Sequence, residues 1–295
     1  MARSLNSAVV ALAALLATAC TLTQLAYSNV PMAYNNAPPM VAWMVADYVD
    51  MSDDQKDFVR DRVSRAFAWH RAQELPEYRA FFERVLVQAQ DNISVEEAAT
   101  AHRELRDYYH RALERLLPDM AEFLVGLDSL QAKQMEQRFN KDNRRMVGDA
   151  NGGTPGERRE KRLDRFLTHL EQFVGSLDDS QRAMVAAYIA GQSELIDERL
   201  ADRRYRQAGV LRLVHSKPPR DEAVAELRRL FIDTEDWRNS DYQRKLRARD
   251  RQLFELISKL SASLSPEQRT AFQRRVRGFM RDITEITASG PSASS

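Results

Sequence analysis

The chain has 295 residues, of which 43% are hydrophobic and 29% are charged, and this length suffices for one large helical domain or two small ones. Its 44 basic and 43 acidic residues nearly cancel and leave a formal net charge of +1. We therefore expect no nucleic-acid partner, because binding to a phosphate backbone requires a broad basic surface.

Residues 1–19 have the features of a bacterial signal peptide. Arg3 supplies the positive charge, and the apolar stretch at 8–19 is too short to span a bilayer. Small residues at 17–19 precede Cys20 and form a lipobox-like cleavage site. We expect Cys20, the single cysteine of the chain, to carry the lipid. Ordinary signal cleavage beside an incidental cysteine is the alternative.

The residues after Cys20 bear on location and on the path of the chain. Thr21 stands where an Asp would favour retention in the inner membrane, so by analogy with lipoprotein sorting we expect an outer-membrane protein that faces the periplasm. Residues 20–37 are expected to form a lipid-anchored tether. Residues 38–49 are apolar around nearly the whole helix circumference, which favours burial, with contact to a membrane surface as the alternative.

Apolar residues recur at every third or fourth position along most of the remaining chain, and no stretch shows strand alternation. The pattern is clearest over 266–286, where the apolar residues are Phe272, Val276, Phe279, Met280, Ile283 and Ile286. This spacing predicts an all-α fold of about eight to ten amphipathic helices.

The strongest break in the helical pattern is the stretch "GDANGGTPGE", which begins at residue 148. We expect a Gly-rich linker at 148–156 between a first helical half at 38–147 and a second at 157–287. The last residues, 288–295, are small and polar and are expected to form a disordered tail.

One five-residue pattern occurs four times, as "MSDDQ" at 51, "LDSLQ" at 127, "LDDSQ" at 177 and "LSPEQ" at 264. Ser or Asp followed three residues later by Gln is typical of a capping box at a helix N-terminus. The predicted caps are Ser52, Asp128, Asp178 and Ser265, and the glutamines are Gln55, Gln131, Gln181 and Gln268. Capping explains each motif locally, but not the use of Gln every time.

The spacing of the four motifs suggests an internal duplication. The first two motifs start 76 residues apart, the last two start 87 residues apart, and the Gly-rich linker falls between the pairs. We therefore predict two related helical halves, with chance recurrence as the alternative.

The last motif, in "LSPEQRTAFQRRVRGFM", resembles the LTxxQ segments of Spy and CpxP, which are small all-α periplasmic proteins of the envelope stress response. The likeness covers barely a fifth of the chain, and Ser or Asp replaces the Thr of that family. It implies an ATP-independent chaperone or a modulator of envelope stress.

The N-terminal part resembles a family of bacterial lipoproteins known only as a domain of unknown function. The matching segments are a Tyr-Asn pair, an aromatic stretch that ends in Tyr-Val-Asp, and Trp-His-Arg followed by Leu-Pro. The residues concerned are Tyr34, Asn35, Trp43, Tyr48, Val49, Asp50, Trp69, His70, Arg71, Leu75 and Pro76. The resemblance implies a helical lipoprotein but carries no activity.

We expect neither an enzyme nor a cofactor or metal site. The sequence contains no phosphate loop, no nucleophile elbow and no free cysteine to pair with a histidine. His102 and His110 lie eight residues apart, too far along a helix to share a zinc ion as an i, i+4 pair would. Runs of arginine alternate with acids and are expected to form solvated, charge-paired faces.

Two classes of binding function remain open. One is a chaperone-like module that shields envelope protein clients, and the other is a scaffold that holds one specific partner near the membrane. The aromatic segments supply a candidate partner surface of Trp43, Tyr48, Trp69, His70 and Arg71, with packing between helices as the alternative.

Overall fold

A computed structural model describes residues 30–289, so the signal peptide and Cys20 lie outside the described residues. All regular structure between these limits is helical, which confirms the all-α prediction. The elements are α1 (Val30–Asn35), α2 (Ala37–Ala46), α3 (Asp53–Trp69), a π-helical turn (His70–Glu74), α4 (Leu75–Gln88), α5 (Val95–Val125), α6 (Ser129–Asn151), α7 (Pro155–Val174), α8 (Asp179–Ala190), α9 (Ile196–Ser216), α10 (Arg220–Phe231), a 3-10 turn (Thr234–Asp236), α11 (Ser240–Ser263) and α12 (Pro266–Ala288).

Helices α3 and α4 form one continuous rod that is widened at the π-turn, His70–Glu74. Here the N–H of Leu75 donates to the carbonyl of His70, five residues back instead of four. Pro76 follows directly, and its ring would clash with the carbonyl of Ala72 in a regular α-helix. The extra residue in the turn relieves this clash without ending the helix.

The hydrophobic side chains form two cores. The larger core takes residues from α1 to α6, α9, α10 and α12 and is centred on α5, where Leu113, Leu116 and Leu124 are almost fully buried. The smaller core lies between α7, α8 and α11 and contains Val185 and Leu256. Helices α10 and α11 both pack on α5, α9 packs on α6, and α12 packs on α4.

The cores do not follow the predicted division into halves 38–147 and 157–287. Helices α9 and α10 belong to the second half in sequence, yet they bury their apolar faces against α5 and α6 of the first. The break between the halves also begins later than predicted, because α6 continues through Gly148 to Asn151. The chain turns at Gly153, which has a positive φ of 85°. The superposition of the two halves stays a prediction.

Both predicted ends of the folded body need correction. The tether predicted at 20–37 is wrong beyond residue 29, because α1 and the start of α2 are folded and Tyr34 is buried against Phe67. The tail predicted at 288–295 is wrong at its start, because α12 runs to Ala288 and Ser289 is hydrogen bonded to Arg71. Residues 290–295 lie outside the described part of the chain.

The prediction that 38–49 is buried holds for only one side of the helix. Helix α2, which covers most of this segment, buries one face and exposes the other. Val41 and Val45 pack in the larger core, whereas Met40 and Trp43 face outward. Among residues 30–289, none of the helices combines the length and the apolar character that a membrane span requires.

The contact between α9 and α10 depends on Gly209. A Cβ at this position would lie 2.5 Å from Cδ1 of Leu230, a side chain that is itself fully buried. We expect Gly209→Ala to lower the free energy of unfolding by about 1–3 kcal/mol through overpacking, measured by urea denaturation. Gly148→Ala is the control, because that Cβ would meet nothing within 4 Å in the last turn of α6, and it should be neutral or stabilising. Equal effects of the two substitutions would contradict this account.

Candidate functional site

The four repeated motifs start helices in the same way. At each one the cap side chain accepts a hydrogen bond from the backbone N–H of the Gln three residues later, and the Gln amide oxygen accepts from the backbone N–H of the cap. Ser94 with Glu97 and Thr154 with Glu157 form two further capping boxes in which Glu takes the place of Gln. The motifs therefore satisfy the exposed donors of helix N-termini, as the sequence predicts.

The glutamines of the motifs meet in two hydrogen-bonded pairs. Gln131 donates from Nε2 to Oε1 of Gln55 at 2.6 Å. Gln181 and Gln268 contact each other in the same way, with amide distances of 2.9 and 2.8 Å. The first motif is thus joined to the second, and the third to the fourth.

Both pairs contain a further hydrogen bond. In each, a glutamine side-chain N–H donates to the backbone carbonyl two residues before the cap of the other motif. Gln131 donates to the carbonyl of Asp50 at 2.8 Å, and Gln268 donates to the carbonyl of Ser176 at 2.7 Å. Gln181 makes the reciprocal contact to the carbonyl of Ser263 at 3.1 Å. Each amide oxygen therefore closes its own capping box while the amide nitrogen binds the other motif. A carboxylate could do only the first, which explains the use of Gln.

Replacement of a paired glutamine by glutamate tests this dual role. Gln181→Glu keeps the oxygen that accepts the capping hydrogen bond. The second carboxylate oxygen replaces a fully buried N–H donor, so the hydrogen bond to the carbonyl of Ser263 is lost and this oxygen faces the amide oxygen of Gln268. We expect a loss of about 3 kcal/mol in the free energy of unfolding. The control is Glu97→Gln in the solvent-exposed capping box of Ser94, which should leave the melting temperature nearly unchanged. If Gln181→Glu leaves the free energy of unfolding unchanged, the glutamine acts only as a part of the capping box.

The π-turn carries two buried polar residues, His70 and Glu74. Nδ1 of His70 lies 2.9 Å from the hydroxyl of Tyr34, which also lies 3.3 Å from the carbonyl of Phe67. The tautomer with the proton on Nδ1 lets His70 donate to Tyr34 and Tyr34 donate to Phe67. Nε2 then keeps a lone pair that has no hydrogen-bond partner among the described residues. Burial lowers the pKa of His70 to about 4 and raises that of Tyr34.

Glu74 is held by a two-pronged ion pair with Arg111 of α5. Nε and Nη2 of Arg111 lie 3.1 and 3.0 Å from the two carboxylate oxygens. This bidentate geometry is the strongest form of an arginine–carboxylate contact, and it compensates the burial of Glu74. The pair fixes the π-turn against the central helix α5.

Arg71 joins the beginning and the end of the described chain. Its guanidinium donates to Oδ1 of Asn35 at 2.7 Å and to the carbonyl oxygen of Ser289, and it lies over the ring of Tyr34. The Tyr-Asn and Trp-His-Arg segments, far apart in sequence, thus meet at one place. These contacts hold α1, the π-turn and the end of α12 together, which is a structural role.

The candidate partner surface of Trp43, Tyr48, Trp69, His70 and Arg71 does not form one surface. Trp43 is 68% exposed, but His70 is 1% exposed and cannot contact a partner. Trp69 packs against the larger core. Tyr48 is half-buried against Phe139 and hydrogen bonded to Asp142 at 3.1 Å, and burial raises its pKa to about 12. His70 continues the buried face of α3, because it follows the buried residues Ala66 and Phe67 by four and three positions.

The low pKa of His70 predicts an acid-sensitive fold. The unfolded chain binds a proton on this residue near its ordinary pKa of 6.5, whereas the folded chain resists protonation down to about 4. Stability contributed by neutral His70 is therefore lost as the pH falls from 6.5 towards 4. Between pH 7 and pH 5 we expect this residue to account for about 2 kcal/mol.

The measurement is urea unfolding of the wild type and of His70→Gln at both pH values. The variant should be less stable at pH 7 and should lose less stability on acidification. A pH dependence that is the same in both proteins would contradict a neutral, buried His70.

A basic groove runs between the N-terminal half of α5 and α11. We call it the arginine groove, and its cationic lining is Arg103, Arg106, Arg244, Arg247 and Arg251. Asp250 is the only acidic residue among the described residues that line it. Arg106, Arg247 and Arg251 are exposed and form no ion pair with any described residue. At one end the rings of His102 and Phe254 lie 5.3 Å apart.

The arginine groove departs from the expectation that arginine runs are charge-paired. Pairing does occur at its edges, where Arg103 contacts Glu96 and Arg244 contacts Asp241. The signal in the sequence is the stretch 244–251, "RKLRARDR", which has five basic residues and one acidic residue. A net charge calculated over the whole chain conceals such a local excess.

No part of the chain between residues 30 and 289 brings together three or more His, Cys, Asp or Glu side chains in a way that could hold a metal ion. Within the same limits, the polar clusters at the π-turn and at the glutamine pairs have packing roles. The arginine groove is therefore the best candidate for a binding site.

Residues 47–244 match the model of a family of unknown function, DUF6279, and the chain belongs to this family. No curated protein and no solved structure matches the chain. The matched region begins after α2 and ends at Arg244, the first of the groove arginines on α11.

Proposed function

We propose that this member of the DUF6279 family is an outer-membrane lipoprotein that faces the periplasm and holds a specific protein partner near the membrane. The lipobox-like sequence before Cys20 and the Thr at position 21 support the anchor and the location. The proposed activity is binding and not catalysis.

Burial of the apolar surface favours a scaffold over a general chaperone. A chaperone needs a continuous apolar surface for unrelated clients. Here the large apolar side chains that remain exposed are distributed over α1, α2, α4, α5, α6 and α9: Met32, Met40, Trp43, Val87, Val95, Leu105, Leu130 and Tyr205. The Spy-like motifs do not add a client surface, because Gln131 and Gln181 are buried in their pairs. A chaperone-like module is the second candidate, supported by the motif resemblance alone.

The observation that carries the proposal is the arginine groove. Guanidinium groups bind carboxylates in a bidentate manner, so a row of unpaired arginines favours an acidic ligand. Residues 244–251 extend along about 10 Å of helix, which matches a short peptide segment. His102 and Phe254 offer an aromatic surface for an apolar neighbour of the acidic residues. We propose an acidic segment of the partner protein as the ligand.

Charge reversal in the groove tests this proposal. The triple variant Arg106→Glu, Arg247→Glu and Arg251→Glu removes the unpaired cations, and we expect recovery of the partner after crosslinking in intact cells to fall more than about tenfold. Partner recovery is measured by purification of the tagged full-length chain and mass spectrometry. Melting temperature and membrane fractionation should stay unchanged, because these side chains are exposed.

The matched control is the triple variant Arg159→Glu, Arg204→Glu and Arg274→Glu. These arginines are also exposed but lie on α7, α9 and α12, outside the groove. The control should keep the partner. Equal loss in both variants would indicate a general charge effect, and no loss in either would remove the groove as the site. Suppression of aggregation of unrelated proteins by the wild type would favour the chaperone-like candidate.

A further inference from the structure

We infer that the outward side of α1 and α2 rests on the lipid surface to which Cys20 is anchored. We call this side the membrane face and define it by Met32, Pro39, Met40 and Trp43, all of which are exposed. The inference rests on the proposed lipidation of Cys20 and adds a second, non-covalent contact that fixes how the protein stands on the membrane.

The first argument is the absence of charge. From Cys20 to Ala46 the sequence contains no Asp, Glu, Lys or Arg, although 29% of the whole chain is charged. The first charged residue after the cysteine is Asp47. Charged groups are costly to bring into a bilayer, so this uncharged segment can approach lipid without that penalty. An ordinary solvent-facing helix of this chain carries charges on its outer face, as α11 does.

The second argument is the geometry of α2. Ala37, Val41 and Val45 point into the larger core, with exposures of 1%, 1% and 6%. The opposite side presents Met40 and Trp43, exposed to 37% and 68%. Tryptophan prefers the interface between lipid and water, where its ring is buried and its N–H stays hydrated. Water is the less favourable environment for such a face.

The third argument is reach. Nine residues lie between Cys20 and Val30, which makes ten residue steps, and even a fully extended chain spans no more than about 3.3–3.6 Å per step. Helix α1 therefore begins within roughly 35 Å of the lipid anchor. The membrane face belongs to the first helices after this short connection, so the anchor holds it near the bilayer at all times.

A second copy of the chain is a less favourable binding partner for the membrane face than a lipid surface. A stable protein interface buries about 800 Å² on each partner, and four partly exposed side chains supply far less. The same small area suits a lipid surface, because the covalent lipid already supplies an anchor and the face needs to add only a modest contribution.

Tryptophan fluorescence of the full-length lipidated protein tests the inference. Trp69→Phe with Trp237→Phe leaves Trp43 as the single tryptophan, and the matched variant Trp43→Phe with Trp69→Phe leaves Trp237. Each protein is purified from membranes and reconstituted into vesicles of phosphatidylethanolamine and phosphatidylglycerol, with and without brominated acyl chains. We expect brominated lipid to quench Trp43 several-fold more than Trp237, which is stacked on Tyr205. If Trp69→Phe disturbs folding, the difference between the wild type and Trp43→Phe gives the same comparison.

The outcomes separate this inference from the proposed anchor. Protein that sediments with vesicles while Trp43 is unquenched overturns the membrane face and leaves the anchor intact. Wild-type protein that does not sediment and incorporates no labelled fatty acid overturns both. Cys20→Ala should lose sedimentation, because the face alone is too small for stable binding. Crosslinks between two copies through position 43, with no quenching by brominated lipid, would assign the face to a second copy instead.

Discussion

The fold depends on the two hydrogen-bonded glutamine pairs, which supply partners for backbone donors at four helix N-termini. Gln181 is fully buried, so its backbone N–H, one of the first donors of α8, must find a partner within the chain, and Asp178 provides it. The paired glutamines solve this problem for two helices at once, since each amide serves its own N-terminus with oxygen and the neighbouring motif with nitrogen. Two such pairs hold α3 beside α6 and α8 beside α12, and the intervening helices are free to pack elsewhere.

Local features of this protein could be predicted from the sequence, because they depend on residues that are close along the chain. The period of apolar residues gave the helices, and Ser or Asp before Gln gave their starts. Contacts between distant segments could not be predicted in this way. Nothing in the sequence of α9 and α10 shows that they pack on α5 and α6, because an apolar stripe specifies burial but not the partner.

The candidate site was predicted less well than the fold, for two physical reasons. His70 continues the buried stripe of Val63, Ala66 and Phe67, but a polar ring favours the surface unless a distant segment supplies a hydrogen-bond partner, as the hydroxyl of Tyr34 does here. The arginine groove arises where two helices meet, and each helix alone has acids nearby. Charge at a surface is set by which side chains remain unpaired after packing, as Arg106 and Arg251 do, and composition does not contain that information.

The contact of Arg71 with Asn35 and Ser289 has a consequence for the order in which the chain folds. Helix α12 packs on α1 and α4, so the N-terminal segment reaches its full set of contacts only when the last residues of the described chain are in place. Contacts of such long sequence separation form late, after the intervening chain has been ordered. On the proposed export route, in which the N-terminus crosses the membrane first, α1 emerges first and is finished last. Until α12 arrives, α1 and α4 expose apolar surface, and this interval is when the chain is most prone to misassembly.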